Sequence, residues 1–456
     1  MGETSLEKRL RILGEAEEYK KEFEAKLYPL EKLDVEKPVT FISVGGGELG
    51  DLAITAAKRC LGGVCGGVKT VVFDRYMGAP AQDSADFYEC FDMLNGDLLE
   101  KNIKKYVPNP NQPHVIYLEI ERIDTLRACQ LGIREGYRVM STPYGPLICM
   151  DRHLTKLMFD RLGLPRVEWA YAENHEELKR IAKDFGLPVI IKPVMTSSGH
   201  GTTIAKTWED VEKAYDYALK HARGVGNQVT VEKYLPKLKE EGTEIMQLAI
   251  RHFDENGRIV TSLAPPVEHR RPGATYHESW LPATIPENLK LKCWESAKKI
   301  AEFIGGLGVF AVEQFVLDGE VYNNEVANRP HDTGMITRWM LNMDEGALQL
   351  YSTIGLQINP CDLELSKGNV YGVAHVVLAP DFGFDGEVPV KGWNFGEVKR
   401  YIKVKGYTGD LWYFGKPKAY SHRRMGLAVG FHEELEKARK IAEDIAHYSE
   451  KNIIYG

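Results

Sequence analysis

The sequence has little that would set it apart from ordinary globular proteins. Its seven cysteines (Cys60, Cys65, Cys90, Cys129, Cys149, Cys293 and Cys361) are scattered, and no two have zinc or redox spacing. Cys60 and Cys65 come nearest, with four residues between them, glycines among them. This pattern excludes a disulfide framework and fits thiols in a reducing compartment. No apolar run approaches about 18 residues, so no membrane span is expected. The opening residues are charged (Glu7, Lys8, Arg9) and lack the apolar core of a signal peptide, so a cytoplasmic location is expected. Repeats and low-complexity segments are absent as well. Positive charge is not in excess: the net charge of −7 argues against broad nucleic-acid binding, while leaving room for a local phosphate pocket.

What is present is a chain of 456 residues, 43% hydrophobic and 27% charged, enough for a large core and two to four domains. Residues 1–36 are charged and helix-prone, with Leu6, Leu10 and Leu13 at helical spacing. They predict a helical extension packed on the body or used as an oligomer contact. Residues 37–142 alternate strand and helix (VTFISV, then GGGELG and a helix, then TVVFDRY and HVIYLEIE), which implies a parallel sheet covered by helices. Residues 143–360 mix both types. Helices are expected at 151–162, 172–185, 208–222, 297–304 and 344–351, and strands at 188–194, 228–235 and 244–253. Residues 361–456 read as β-rich with a terminal helix at 433–448.

Five stretches carry chemistry. In Val309 to Gly334, two alternating strands meet at Asp318-Gly319. With a three-residue loop (318–320), Leu317 faces Val321 and Glu313 faces Glu325. Opposed carboxylates repel unless both reach water or a cation lies between them. A hard cation carrying phosphates suits such a pair; a solvated acidic face gives the same pattern. Gly45-x-Gly47-x-x-Gly50 between a strand and a helix, with Asp74 ending the next strand, resembles a dinucleotide turn. Glu48 inside that turn would repel a pyrophosphate and better suits an amine or hydroxyls. Lys192 leaves a strand just before Thr196-Ser197-Ser198-Gly199-His200-Gly201-Thr202, as in a flap over nucleotide phosphates. A flexible glycine-rich hairpin would look the same. Glu232-Lys233-Tyr234-Leu235 ends a strand with Glu244 downstream, where backbone groups can read an adenine edge and a carboxylate can hold ribose hydroxyls, but taken alone the stretch is better read as exposed charges at a strand end. Gly415-Lys416-Pro417 and Ser421-His422-Arg423-Arg424 fit a phosphate-monoester pocket or a solvated basic loop.

In this order, a strand lysine, a Ser-Ser-Gly-x-Gly flap, a Val-Glu-Lys hinge and glutamates on two strands resemble the ATP-grasp fold. The finer resemblance is to the formate-dependent phosphoribosylglycinamide formyltransferases. GGGELG (45–50), DRYMGAPA (74–81), LEIERI (118–123), KPVMTSSGHG (192–201), HESW (277–280), VANRPHDTGM (326–335), FGKP (414–417) and RRMGLA (423–428) carry it, over roughly Val39 to Gly430. The resemblance implies an α/β and α+β protein. An N-terminal parallel-sheet domain precedes an ATP-grasp domain at 143–360, whose nucleotide flap is at about 186–243, and a small β-rich C-terminal domain follows.

It implies ATP contacts at Arg152, Lys192, Ser197, Ser198, Gly199, His200, Gly201, Thr202, Glu232, Lys233, Tyr234, Leu235 and Glu244. Mg²⁺ ligands fall on Glu313 and Glu325. Contacts to glycinamide ribonucleotide fall on Glu48, Leu49, Glu119, Asp332, Lys416, Arg423 and Arg424. The implied reaction joins formate to the ribonucleotide's amine through formyl phosphate, with Lys192, Arg329 and Asp332 as the catalytic set and a homodimer as the assembly. Several positions depart from the family: His200 in the flap, Asn328 before Arg329, Lys418 after Gly-Lys-Pro, the 237–241 stretch, and HRRPGATY (269–276) in place of an acidic form. Three other functions compete: a bicarbonate-dependent carboxylase of an aminoimidazole ribonucleotide, a nucleotide-dependent dehydrogenase, and a non-catalytic nucleotide-binding protein.

Overall fold

The computed structural model describes residues 4–27, 29, 38–60, 67–196, 200–222, 226–271 and 276–456. Strands β1 (Val39–Val44), β2 (Val68–Asp74), β3 (Phe87–Cys90), β4 (His114–Leu118) and β5 (Val139–Met140) form a parallel sheet in the order β3-β2-β1-β4-β5. Every residue of β1 is buried, as a central strand covered on both faces requires. The strand–helix alternation therefore gives the expected layer.

A second, antiparallel sheet holds β6 (Trp169–Ala172), β7 (Val189–Pro193), β8 (Thr203–Ala205) and β9 (Val229–Lys233) in the order β6-β9-β7-β8. Along β7, Val189 and Ile191 enter the core while Ile190 and Lys192 lie on the opposite face. The helix expected from residue 172 begins instead at His175, capped by Asn174, because Trp169 to Ala172 pairs with β9.

The largest sheet draws on β10 (Thr243–Phe253), β11 (Ile259–Leu263), β12 (Val267–Arg270), β13 (Glu278–Leu281), β14 (Gly308–Leu317), β15 (Glu320–Ala327) and β16 (Tyr371–Leu378). Later strands are β17 (Val388–Trp393), β18 (Gly409–Tyr413), β19 (Lys418–Ala419), β20 (Arg424–His432) and β21 (Ile453–Tyr455). The order is β15-β14-β10-β12-β13-β16-β20-β18, with β11 also on β10; β17, β19 and β21 make a small separate sheet. Strands that follow residue 360 thus extend the sheet built before it. A helix at Phe395–Lys405 interrupts the stretch expected to be β-rich; its buried residues, Val398 and Ile402, form too sparse a stripe to read. The helix expected at 297–304 starts at Glu287, since Leu289 and Cys293 are buried on an otherwise charged segment.

Two helices hold these layers together. Glu345–Ile354 is buried all round and lies against Glu48–Cys60, so close that a Cβ on Gly346 would stand 2.5 Å from that of Leu52. This contact fixes the parallel sheet against the large one. The N-terminal helix, Ser5–Ala25, packs on the body through Leu13, Ala16 and Phe23, while Leu10 is exposed. Its Glu24 meets Arg251 at 2.7 Å and accepts from the Gly306 amide at 2.8 Å.

His375 on β16 is buried beside His277 and His447, with ring centroids 4.3 and 5.8 Å away. Burial and the neighbouring His277 push it down to about 4. Burial likewise pushes His153 down to about 3. Unfolded imidazoles titrate near about 6.5, so the unfolded chain takes up protons that the folded one refuses. Stability is then full above about 6.5 and falls as the pH drops through the window toward the folded values. His375→Gln is expected to flatten the acid limb of Tm plotted against pH. An unchanged slope would remove His375 as a cause.

Candidate active site

One wall of the site is built on β7, β9 and the helix Arg152–Arg161. Asp151 caps that helix, accepting from the amides of His153 (2.8 Å) and Leu154 (3.0 Å), and is itself held by Arg9 at 2.9 Å. The cap sets the helix so that Arg152 and Lys156 face inward. Lys156, buried, lies 3.1 Å from one oxygen of Glu232, and Lys192 lies 2.7 Å from the other. Burial alone would raise the Glu232 carboxyl; the two ammonium groups outweigh it and hold the carboxyl well below the usual range. Next to them lie His200, Thr202 and the segment Lys233 to Leu235. Gly201 has a φ of 74°, and a Cβ there would stand 2.7 Å from Pro193, so only glycine fits this turn. Ser197, Ser198 and Gly199 lie outside the described residues.

The carboxylate pair follows on β14 and β15. Glu313 faces Glu325 as expected, but by a different path. The loop has two residues, not three: Asp318 and Gly319 both have positive φ (50° and 80°), and Leu317 pairs with Glu320. Such a turn matches the strand twist. One extra residue, Asn324, then bulges between the Gln314–Asn323 and Glu313–Glu325 pairs and restores the facing. Both carboxylates carry cationic partners from the protein: Arg271 meets Glu313 at 2.7 Å and Arg152 meets Glu325 at 2.8 Å. The His331 imidazole, which burial pushes toward its neutral form, also meets Glu313, at 3.2 Å. Burial pushes both glutamates up, and these neighbours more than reverse it, so both stay ionised. Glu244 is engaged by His269 at 3.2 Å and Arg271 at 3.1 Å.

Two opposed, ionised, oxygen-only donors beside Lys192 fit Mg²⁺ arriving with a phosphate-bearing ligand. Among the described residues no group of three or more His, Cys, Asp or Glu is arranged to hold a metal by itself, so phosphate and water would complete the shell.

The far end carries acids and bases in pairs. Glu48 opens the helix Glu48–Cys60 and meets Lys416 at 3.0 Å and Arg424 at 3.9 Å. Arg424 also pairs with Asp332. Burial pushes Asp332 up, but Arg424 and His331 bring it down to about 2. Glu119, just past β4, accepts from the Gly50 amide at 3.3 Å. Burial, together with Glu48, Asp74 and Glu121, raises its carboxyl to about 8 against the pull of Arg329. The glycine turn makes room for that carboxyl: a Cβ on Gly45 (φ 117°) would stand 2.3 Å from it, and one on Gly47 2.9 Å. Asp74 accepts from the Gly46 amide at 2.8 Å and the Arg75 amide at 2.6 Å. It is spent on the backbone rather than offered to a ribose, which counts against the dehydrogenase reading. Arg423 donates to the Lys418 carbonyl at 2.6 Å and lies over the rings of Tyr76 and Tyr420. Arg329 pairs with Glu121.

Most of these side chains line one cavity of about 1100 Å³ running from Lys192 past Glu313 and Glu325 to Arg424. Residues 157–345 match the ATP-grasp domain family, and residues 387–448 match the family described as PurT, C-terminal. The formate-dependent phosphoribosylglycinamide formyltransferase of Syntrophotalea carbinolica is 37% identical over 404 residues, covering 88% of this chain and 94% of that one. The chain belongs to the formate-dependent phosphoribosylglycinamide formyltransferase family. The member from Sulfurisphaera tokodaii is also 37% identical, over 408 residues, 88% of this chain and 94% of that one. Among solved structures, an ADP complex of N5-carboxyaminoimidazole ribonucleotide synthetase superposes with a TM-score of 0.73 at 24% identity, covering 91% of this chain and 98% of that one. A "glycinamide-RNase-transformylase T" from Mycobacterium tuberculosis gives 0.66 at 20% identity, over 90% and 99%. At these identities the structures speak for the ATP-grasp fold alone.

The fold thus brings residues expected at the site from the sequence to one cavity, from positions as distant as Glu48 and Arg424. Sequence reasoning did not single out as site residues Arg271 and His331, which line the cavity, or Lys156, which pairs with Glu232 behind its wall. Lys156 sits in an ordinary amphipathic helix, and its partner Glu232 is remote in sequence. Arg271 did leave a signal, since it lies in the departing stretch HRRPGATY, of which residues 272–275 are outside the described residues. No helix among the described residues is long and apolar enough to cross a membrane.

Proposed function

We propose that the protein joins formate to the amine of glycinamide ribonucleotide using ATP, through formyl phosphate. The observation that carries this reading is the single cavity, which joins a lysine-lined nucleotide wall, an ionised carboxylate pair and an acid–base acceptor end. Lys192 and the flap around His200 to Thr202 hold the nucleotide phosphates, and Arg152, Glu232 to Leu235 and Glu244 hold the rest of it. Mg²⁺ bound at Glu313 and Glu325 supplies neutralising charge to the transferring phosphoryl group. Arg329 holds formate for attack on the γ-phosphorus, giving formyl phosphate and ADP. Asp332, ionised across the neutral range, orients the acceptor amine; the amine attacks the formyl carbon and phosphate leaves. Lys416, Arg423 and Arg424 hold the acceptor's 5′-phosphate. Glu48, Leu49 and Glu119 contact its ribose and glycinamide parts. The reactive acyl phosphate demands exclusion of water, a task for the flap.

ADP release is expected with ATP, formate and glycinamide ribonucleotide together, and not when formate is replaced by bicarbonate and the acceptor by aminoimidazole ribonucleotide. The reverse result would make the protein a carboxylase of the same fold.

A further inference from the structure

Arg271 follows directly on β12 and reaches two functional carboxylates at once. Its Nε lies 3.1 Å from Glu244 and its Nη2 2.7 Å from Glu313. Both oxygens of Glu313 are already engaged, one by His331 at 3.2 Å, the other by Arg271 and by the Asn324 amide at 3.3 Å. Arg152 occupies Glu325, while Lys156 and Lys192 occupy Glu232. In this half of the site four carboxylates, Glu232, Glu244, Glu313 and Glu325, therefore face four arginine and lysine cations, Arg152, Lys156, Lys192 and Arg271, and these charges match one for one. The protein walls offer a lone divalent ion no net negative charge. A nucleotide's phosphates bring that charge with them.

We propose that Arg271 makes divalent-ion binding conditional on the nucleotide: it shares Glu313 with the ion and cancels the charge that would otherwise hold the ion alone. This rests on Glu313 and Glu325 as the metal-binding pair. Without Arg271 one negative charge becomes uncompensated and one Glu313 oxygen loses its strongest partner. The ion then gains affinity for the bare protein, and the order in which metal and nucleotide enter is no longer enforced.

The test is direct titration of the full chain with Mn²⁺, reading free Mn²⁺ by its EPR signal, first alone and then with saturating ADP. The unaltered protein is expected to bind Mn²⁺ weakly alone and tightly with ADP. Arg271→Gln is expected to tighten binding of Mn²⁺ alone by about tenfold, equivalent to about 1.4 kcal/mol, with a smaller change when ADP is present. Nucleotide-free binding no tighter in Arg271→Gln than in the parent overturns the proposal. Should that variant not fold, equal Mn²⁺ affinity with and without ADP in the unaltered protein overturns it too. Glu313→Gln separates the two layers of the argument. Mn²⁺ binding that survives Glu313→Gln removes the metal assignment itself; binding that is lost there but indifferent to Arg271→Gln removes only the role of Arg271.

Discussion

Glu325→Gln is expected to lower formate-dependent ADP release by about a thousandfold, the effect of losing about 4 kcal/mol of charge stabilisation in phosphoryl transfer. The substitution keeps the shape of the side chain. Arg152 keeps an acceptor oxygen there and its bond to the Pro193 carbonyl at 3.1 Å. What disappears is the negative charge facing Glu313 across the hairpin. The loss should fall on kcat, with cooperative thermal unfolding retained. Full activity in the variant would take Glu325 out of the metal-binding pair.

The second large effect is on the fold itself. Among the described residues Glu232 is the only carboxylate within bridging distance of Lys156, whose side chain is 1% exposed, and it also bridges Lys192. Glu232→Gln leaves Lys156 with the Asn324 carbonyl at 3.1 Å as its remaining partner. Breaking a buried ion pair by removing one member costs about 3 to 5 kcal/mol, a large part of a typical domain's stability. The sign with pH is clear. The folded carboxyl titrates far below its unfolded value near about 4.3, so its stabilisation is complete at neutral pH and fades only as the pH falls below that value. Urea unfolding at neutral pH, followed by circular dichroism, should show the lowered midpoint. A midpoint equal to that of the parent would mean that the two lysines do not depend on Glu232.

How much of this could be read in advance differs from residue to residue. Strand alternation places Glu313 opposite Glu325, and that facing holds. The route to it could not be read, because a bulge such as that at Asn324 leaves no mark in a period-two pattern. The glycine turn at 45–50 was legible as a close approach, yet what approaches is the Glu119 carboxyl, from another strand. Residues acting through long-range charge pairs were the hardest. Lys156, Arg271 and His331 each meet a partner on a different element. The N-terminal helix shows the same limit on a smaller scale. Leu6, Leu10 and Leu13 mark its period, but the body selects Leu13, Ala16 and Phe23 for burial.

The continuity of the large sheet bears on how the protein is made. Arg424 opens β20, which hydrogen-bonds to β16 and β18, so the acceptor end is finished by strands from the last quarter of the chain. The nucleotide wall on β7 and β9 is translated long before. A ribosome-bound chain therefore completes its nucleotide half while still lacking the cations of the acceptor end, with the edge of β13 exposed until β16 arrives to cover it. During that interval the growing protein carries an open sheet edge, the surface on which nascent chains pair wrongly. Synonymous changes that slow translation between β13 and β20 should therefore reduce the yield of folded protein more than the same changes placed before β10.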